Sequence, residues 1–312
     1  MKKQKLYLAC SLHPPTLQKI ENTYVAYPLK DLATFTDIPA CEVIVTTSGC
    51  GIDGTTLAKL PTVKLVANFG TGVDLIDLKY CAEHNIAVSH TPGVLTEDVA
   101  DLTLALILAT LRQVVSADRF VRGGRWKTQK FALTRSIRGL NIGIVGMGKI
   151  GQEIARLCTT FGTQIGYFGP NRKPVDYAYY PDVDQLADWA DVLIAACPGG
   201  RSTQGLISAS VLDKLGPRGF FINIARGSVV DEQALVERLL TGAIAGAGLD
   251  VFADEPNIPE QLLSLDNVVL QPHLGSATDR SRLEMGNLTL ANVAAYFEGK
   301  PLPTPVNLQS LL

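Results

Sequence analysis

The stretch GLNIGIVGMGKIGQEIARL, residues 139–157, constrains this chain more than any other. An apolar, β-branched run gives way to Gly146, Gly148 and Gly151, and then to apolar residues at helical spacing. A strand, a tight turn and a helix accommodate that order. The first glycine makes the turn, the second lets the backbone approach a pyrophosphate, and the third brings helix and strand close, with the helix N-terminus facing the phosphates. The turn therefore predicts a dinucleotide-binding unit whose contacts run over Gly146, Met147, Gly148, Lys149, Ile150 and Gly151.

The same alternation of strand and helix fills the rest of the chain. KLYLACS, CEVIVTTS, VKLVANFG and IAVSHT are separated by helical stretches, and a second series follows from NIGIVG through TQIGYFG, DVLIAACPG, GFFINIARG, AGAGLDVFA and NVVLQPH. Alternation of this kind predicts α/β architecture with two parallel, doubly wound sheets. A long helical segment, Glu97–Val121, lies between the two series, and another, Ser276–Gly299, follows the second. That last helix has no sheet of its own, so it is expected to return to the first domain and make it discontinuous. The expected bounds are 1–98 with 284–312 for the first domain and 99–283 for the second.

Composition narrows the partners. With 46% hydrophobic and 19% charged residues over 312 positions the chain is an ordinary globular one, and a net charge of -2 without a basic cluster argues against nucleic acid and anionic membranes. The six cysteines have no paired CxxC spacing, so no metal site is expected and they are read as buried free thiols of a cytoplasmic protein. The N-terminal apolar run is too short for a signal sequence and reads as a first strand. LTLALILATL, flanked by Asp101 and Arg112, falls short of the ~20 residues that span a bilayer and reads as a buried helix.

A second feature sits about 20 residues beyond the glycine turn, where an Asp or Glu usually binds the ribose hydroxyls. There the chain has YFGPNRKP, with Gly169 at the end of the strand. An acid would repel a 2′-phosphate; its absence removes that repulsion, and Asn171, Arg172 and Lys173 supply donors. The cofactor expected is NADP(H), with NAD(H) a poorer one. The plainer alternative is a solvated loop whose charges serve solubility.

Three stretches follow later strands of the second series: NIARGSVVD with Arg226, LDVFADEP with Glu255 and LQPHLGSAT with His273. Carboxyl ends of strands in a doubly wound sheet point at the ligand crevice, so these side chains are candidates for catalysis. Each also has a structural alternative: Arg226 as a helix cap or a partner of Asp231, Glu255 as a turn residue before Pro256, and His273 as a satisfied histidine. GTG at Gly70–Gly72 follows VKLVANF and either offers backbone N–H groups to a carboxylate or simply turns the chain.

In their order and spacing GMGKIG, NIARG, DVFADEP and QPHLGSAT resemble the NAD(P)-dependent D-isomer-specific 2-hydroxyacid dehydrogenases, a family that includes glyoxylate and hydroxypyruvate reductases. NFGTGVDLIDL, TEDVADLTLALIL and PLPTPVN extend the likeness over nearly the whole chain. The resemblance implies a Rossmann-type nucleotide domain, a flavodoxin-like substrate domain at the chain ends, and Arg226, Glu255 and His273 as the catalytic trio. It also implies that Thr71 and Gly72 join Arg226 and His273 on the substrate, and that Thr96, Pro198, Ile224, Asp250 and Gly275 touch the cofactor. The activity expected is NADPH-dependent reduction of small 2-keto acids to D-2-hydroxy acids. An aryl-pyruvate reductase is the near alternative, and a dinucleotide-sensing, co-repressor-like interaction protein the distant one. Asp101–Phe120 and the arm VRGGRWK with Trp126 are expected to join two subunits in a homodimer.

Overall fold

Short apolar and aromatic runs alternating with helices form parallel sheets, here with the inner strands buried on both faces and the edge strands at Val25–Pro28 and Ala178–Tyr180 partly exposed. Five such runs make the first sheet: β1 (Lys5–Leu8), β2 (Val25–Pro28), β3 (Val43–Thr47), β4 (Leu65–Phe69) and β5 (Ala87–Ser89), ordered β2-β1-β3-β4-β5. Seven more make the second: β6 (Asn141–Val145), β7 (Gln164–Phe168), β8 (Ala178–Tyr180), β9 (Val192–Ala195), β10 (Phe220–Asn223), β11 (Gly246–Leu249) and β12 (Val268–Leu270), ordered β12-β11-β10-β9-β6-β7-β8. Every pairing is parallel. The computed structural model describes residues 3–34 and 39–310. The first sheet has the flavodoxin-like order and the second the Rossmann order extended by one strand, so both doubly wound sheets read from the sequence are present.

The chain divides into two compact units, Met1–Leu95 with Ala277–Leu312, and Thr96–Ser276. These joints lie a few residues from the expected 98/99 and 283/284, because each falls at the head of a helix that stays whole. Thr96 opens the helix Thr96–Leu111, and Thr278 caps the helix Asp279–Phe297 by accepting from the Ser281 amide. The latter helix packs on β4 and on the helix Pro14–Thr23, within the first unit. Asn292 ties it further to the chain end that follows, accepting from the Thr304 amide at 3.1 Å, while the Thr304 hydroxyl donates to the His90 carbonyl at 2.6 Å.

The segment expected as one helix from Glu97 to Val121 is two. Gln113 has φ 51° and ψ 39°, which ends the helix Thr96–Leu111 and starts Val114–Arg122 at a bend of 57°. Among the described residues no single helix is long and apolar enough to cross a membrane. The first of the two buries Ala100, Leu106, Ile107 and Leu111 within its own unit, in one cluster with Ile142, Ile144 and Ile222 of the sheet. These residues are covered within the unit, and the apolar surface left over lies elsewhere. The surplus lies further on, where Val114, Val121, Trp126 and Leu133 are exposed, Trp126 by 69% and Leu133 by 100%. The thiols also depart from expectation: Cys41, Cys81 and Cys158 are buried, but Cys10 and Cys197 are half-buried and Cys50 is exposed.

Close packing of β11 requires small residues. A Cβ on Gly246 would stand 2.5 Å from the main-chain oxygen of Asn267, which cannot swing aside as a side chain would. Gly246→Ala is expected to cost about 1–3 kcal/mol, read as a lower melting temperature with no change in the cofactor requirement. A variant as stable as the parent would contradict this packing.

Candidate active site

The order of the second sheet reverses between β6 and β9, and the loops that leave these strands meet there. Gly146 has φ 106°, and a Cβ on it would lie 2.7 Å from the Cys197 backbone. A Cβ on Gly151 would lie 2.1 Å from the Gly146 carbonyl oxygen, so the helix Lys149–Thr159 starts as close to the strand as backbone allows. Gly148 is different: a Cβ there would meet open space, and it stands at the N-cap with no side chain to occupy the helix end. Two glycines required by packing and one facing open space at a helix N-terminus make a cradle that fits the pyrophosphate of a dinucleotide. Met147 is buried beneath the turn, while Lys149 is exposed and Ile150 partly so.

Gly169 leads β7 into an exposed loop carrying Asn171, Arg172 and Lys173. Two tyrosines hold that loop. Tyr167 is fully buried, and its hydroxyl accepts from the Lys173 amide at 2.8 Å, while Tyr179 donates to the Gly169 carbonyl at 3.1 Å. Their bonds to the loop backbone leave the side chains of Arg172 and Lys173 at the surface. Neither tyrosine was singled out from the sequence, where Tyr167 read only as a strand residue and no element was read at Tyr179.

Arg226, Glu255 and His273 lie beyond the carboxyl ends of three adjacent strands, β10, β11 and β12. Asn223 braces the first: its side chain accepts from the Ala225 amide and donates to the Arg226 carbonyl, both at 3.0 Å. The Arg226 guanidinium donates to the Ala225 carbonyl at 2.8 Å, and its side chain does not cap the short helical turn that follows. Gly227 permits the loops after β10 and β11 to touch, since a Cβ there would lie 1.9 Å from the Phe252 carbonyl carbon. Glu255 then bridges. One carboxylate oxygen accepts from the Phe252 amide at 3.0 Å, and the other meets His273 Nδ1 at 2.8 Å. That bond gives the ring a fixed tautomer with Nδ1 protonated, and Nε2 is the nitrogen left for other partners.

His273 itself has φ 54°, a conformation disfavoured for any residue with a Cβ. Asp250 holds the backbone in it, accepting from the amides of Leu274 at 2.6 Å and Gly275 at 2.8 Å. Burial pushes the Asp250 carboxyl above its usual range, partly offset by those two N–H groups. Asp250 thus serves as a brace for the histidine loop, a role that its place at a strand end did not reveal. Of the other expected contacts, Thr96 opens its helix, Ile224 is half-buried against the core, and Pro198 is exposed, its carbonyl accepting from Thr203.

In the first unit, the loop Gly70–Gly72 follows β4, and its carbonyls are tied down. Asn68, buried beside it, donates to the Gly70 and Gly72 carbonyls at 3.0 and 2.8 Å; Ser48 donates to Gly72 at 2.6 Å and His90 to Thr71 at 3.0 Å. The amides of Thr71 and Gly72 donate to no acceptor among the described residues. Among those residues, too, no group of three His, Cys, Asp or Glu side chains could hold a metal ion.

Residues 104–275 match the family model described as the D-isomer specific 2-hydroxyacid dehydrogenase, NAD binding domain. The chain belongs to the D-isomer specific 2-hydroxyacid dehydrogenases. It is 44% identical over 280 residues to glyoxylate/hydroxypyruvate reductase A of Arabidopsis thaliana, covering 89% of this chain and 90% of that protein. Over 266 residues it is 46% identical to the hydroxyphenylpyruvate reductase of Plectranthus scutellarioides, covering 85% of each. A crystal structure of the NADPH-dependent glyoxylate/hydroxypyruvate reductase of Sinorhizobium meliloti, in complex with NADP and malonate, superposes with a TM-score of 0.93 at 37% identity, covering 98% of both chains. As a member of this dehydrogenase family the protein is an NAD(P)-dependent oxidoreductase.

Two predictions test the dehydrogenase site. Gly148→Val adds bulk only where a Cβ meets open space, so dinucleotide binding should fail in a fluorescence titration while stability stays within about 0.5 kcal/mol. Binding at parental affinity would remove the cradle. Asp250 binds its proton more tightly folded than unfolded, so its contribution to stability is full below about pH 4 and is lost as pH rises through the raised value. Asp250→Asn lacks that loss. Its melting temperature, lowered by the poorer brace, should therefore gain on the parent's as pH rises from about 4 to 7; a constant difference would refute the buried carboxylate.

Proposed function

We propose that this protein reduces small 2-keto acids of the glyoxylate and hydroxypyruvate type to D-2-hydroxy acids, with NADPH preferred to NADH. The observation that carries this reading is the Glu255–His273 pair, 2.8 Å apart, beyond the carboxyl ends of the sheet that also carries the glycine turn. The relatives named glyoxylate/hydroxypyruvate reductase support the substrate class, and the Sinorhizobium enzyme, NADPH-dependent by its description, supports the cofactor.

Bound, the nicotinamide supplies the hydride. Gly146, Met147, Gly148, Lys149, Ile150 and Gly151 hold the pyrophosphate, Asn171, Arg172 and Lys173 take the 2′-phosphate, and Thr96, Pro198, Ile224, Asp250 and Gly275 line the remainder. Thr96–Ser276 is then the cofactor unit, and the unit formed by the chain ends binds substrate. Arg226 takes the substrate carboxylate and the carbonyl oxygen with its planar fork, stabilising the charge that grows on that oxygen. His273 delivers a proton to the oxygen from Nε2, while Glu255 holds the ring in place through Nδ1. The Thr71 and Gly72 amides hold the carboxylate. A proton donor and carboxylate clamps fixed at different points present one carbonyl face, which sets a single product hand.

NADPH oxidation over a panel from glyoxylate to aryl pyruvates tests the reading. We expect turnover on glyoxylate and hydroxypyruvate, D-glycerate from the latter by chiral chromatography, and a fall in kcat of at least about 100-fold in His273→Ala with NADPH binding retained. Arg172→Ala should weaken NADPH by about 1.5–3 kcal/mol and leave NADH nearly unchanged. Preference for hydroxyphenylpyruvate, the substrate in the name of the Plectranthus relative, would move the protein to the aryl-pyruvate class. L-glycerate, or no turnover on any keto acid, would overturn the proposal.

A cytoplasmic homodimer completes it. Val114, Val121, Trp126 and Leu133 expose apolar surface within twenty residues, and a second copy covering them places an aromatic anchor at the interface. Sedimentation should give a dimer at micromolar concentration, and Trp126→Asp combined with Leu133→Asp should give monomers; a monomeric parent would dispose of the dimer.

A further inference from the structure

Arg282 stands in the first turn of the helix Asp279–Phe297, on the element that packs against β4, and its guanidinium lies 5.9 Å from the centre of the Phe69 ring. Phe69 is the last residue of β4, and Gly70–Gly72 follows it directly. Arg282 makes no side-chain hydrogen bond or ion pair among the described residues. Burial pushes its guanidinium below the usual range, with no carboxylate acting to restore it. Arg280, two residues earlier, is the contrast: exposed, and 3.5 Å from Glu284.

For the chain alone, three features of this placement are unfavourable. A partly buried guanidinium has five donors, and a phenyl face supplies attraction but no acceptor. A cation in the first turn opposes the helix macrodipole, which is positive at that end. The amides of Thr71 and Gly72, in the same unit and just past Phe69, add two more donors without acceptors. A single anion relieves all three, supplying acceptors to the guanidinium and amides and a negative charge to the helix end.

We propose that Arg282 is a substrate-binding residue that takes the carboxylate of the 2-keto acid together with the Thr71 and Gly72 amides. The inference rests on the 2-keto acid reading above and adds to it a second guanidinium. Arg282 acts on charge and not on the reacting carbonyl, so its loss weakens binding of acids far more than of their neutral esters.

Arg282→Met keeps an apolar stem over Phe69, and Arg282→Lys keeps the charge. With NADPH saturating, Arg282→Met should raise KM for glyoxylate roughly 10- to 100-fold, with a smaller fall in kcat. The preference for glyoxylate over methyl glyoxylate, as a ratio of kcat/KM, should fall at least about tenfold. Oxamate, an unreactive keto-acid analogue, should bind the NADPH-loaded variant at least about tenfold more weakly by calorimetry, and Arg282→Lys should recover part of each loss. An unchanged KM for glyoxylate, or equal losses on acid and ester, would overturn the role of Arg282 while parental turnover keeps the functional reading intact. A parent that neither reduces a keto acid nor binds oxamate would remove both.

Discussion

A histidine with φ 54° holds one orientation because two carboxylates grip it from different sides. Asp250 takes the amides of the two residues after it, fixing the backbone, and Glu255 takes Nδ1, fixing the ring. Backbone strain of this kind, of order 1–3 kcal/mol, persists only where surrounding bonds over-determine it. Asp250 follows β11 directly and Glu255 lies on the loop beyond it, so the parallel pairing of β11 with β10 and β12 carries Arg226, Glu255 and His273 to one end of the sheet.

Glycines serve the site in two opposite ways. At Gly146, Gly151 and Gly227 the missing side chain lets one backbone segment lie against another, and a methyl group would collide with main-chain atoms. At Gly148 nothing crowds the position, and what the absent side chain leaves is room for a ligand. A sequence motif cannot separate these uses, because the spacing is the same whichever glycine packs and whichever yields space. The structure separates them by what surrounds each Cβ.

Much of the site was legible because it depends on local order. The strand-turn-helix around Gly146, the open loop after Gly169 and the position of three polar residues beyond three strands follow from runs of residues close in sequence. The bend at Gln113 was not legible, since glutamine carries no preference for a left-handed backbone and the apolar period continues across it. Nor were the contributions of Ser48 and His90 to the Gly70–Gly72 loop, which come from segments 24 and 19 residues away in sequence, or the inward turn of Asn68 onto the loop 2 residues after it. Asn223 and Asp250 gave a partial signal as polar residues at the ends of apolar runs, and the bonds of Asp250 required the pairing of β11 with β12, which brings Leu274 and Gly275 beside it.

The first unit is closed by the end of the chain, and this orders its assembly in time. Residues 277–312 bring it the helix over β4, the bond from Thr304 to His90 and the bridge from Pro305 to Ser89. On a ribosome these residues emerge only after the whole of Thr96–Ser276, so the segment made first waits longest for its partners. Its sheet, complete in strands but not yet covered by that helix, must remain soluble while the second unit is built, and the second unit, whose buried core clusters lie within its own span, is free to fold ahead of it.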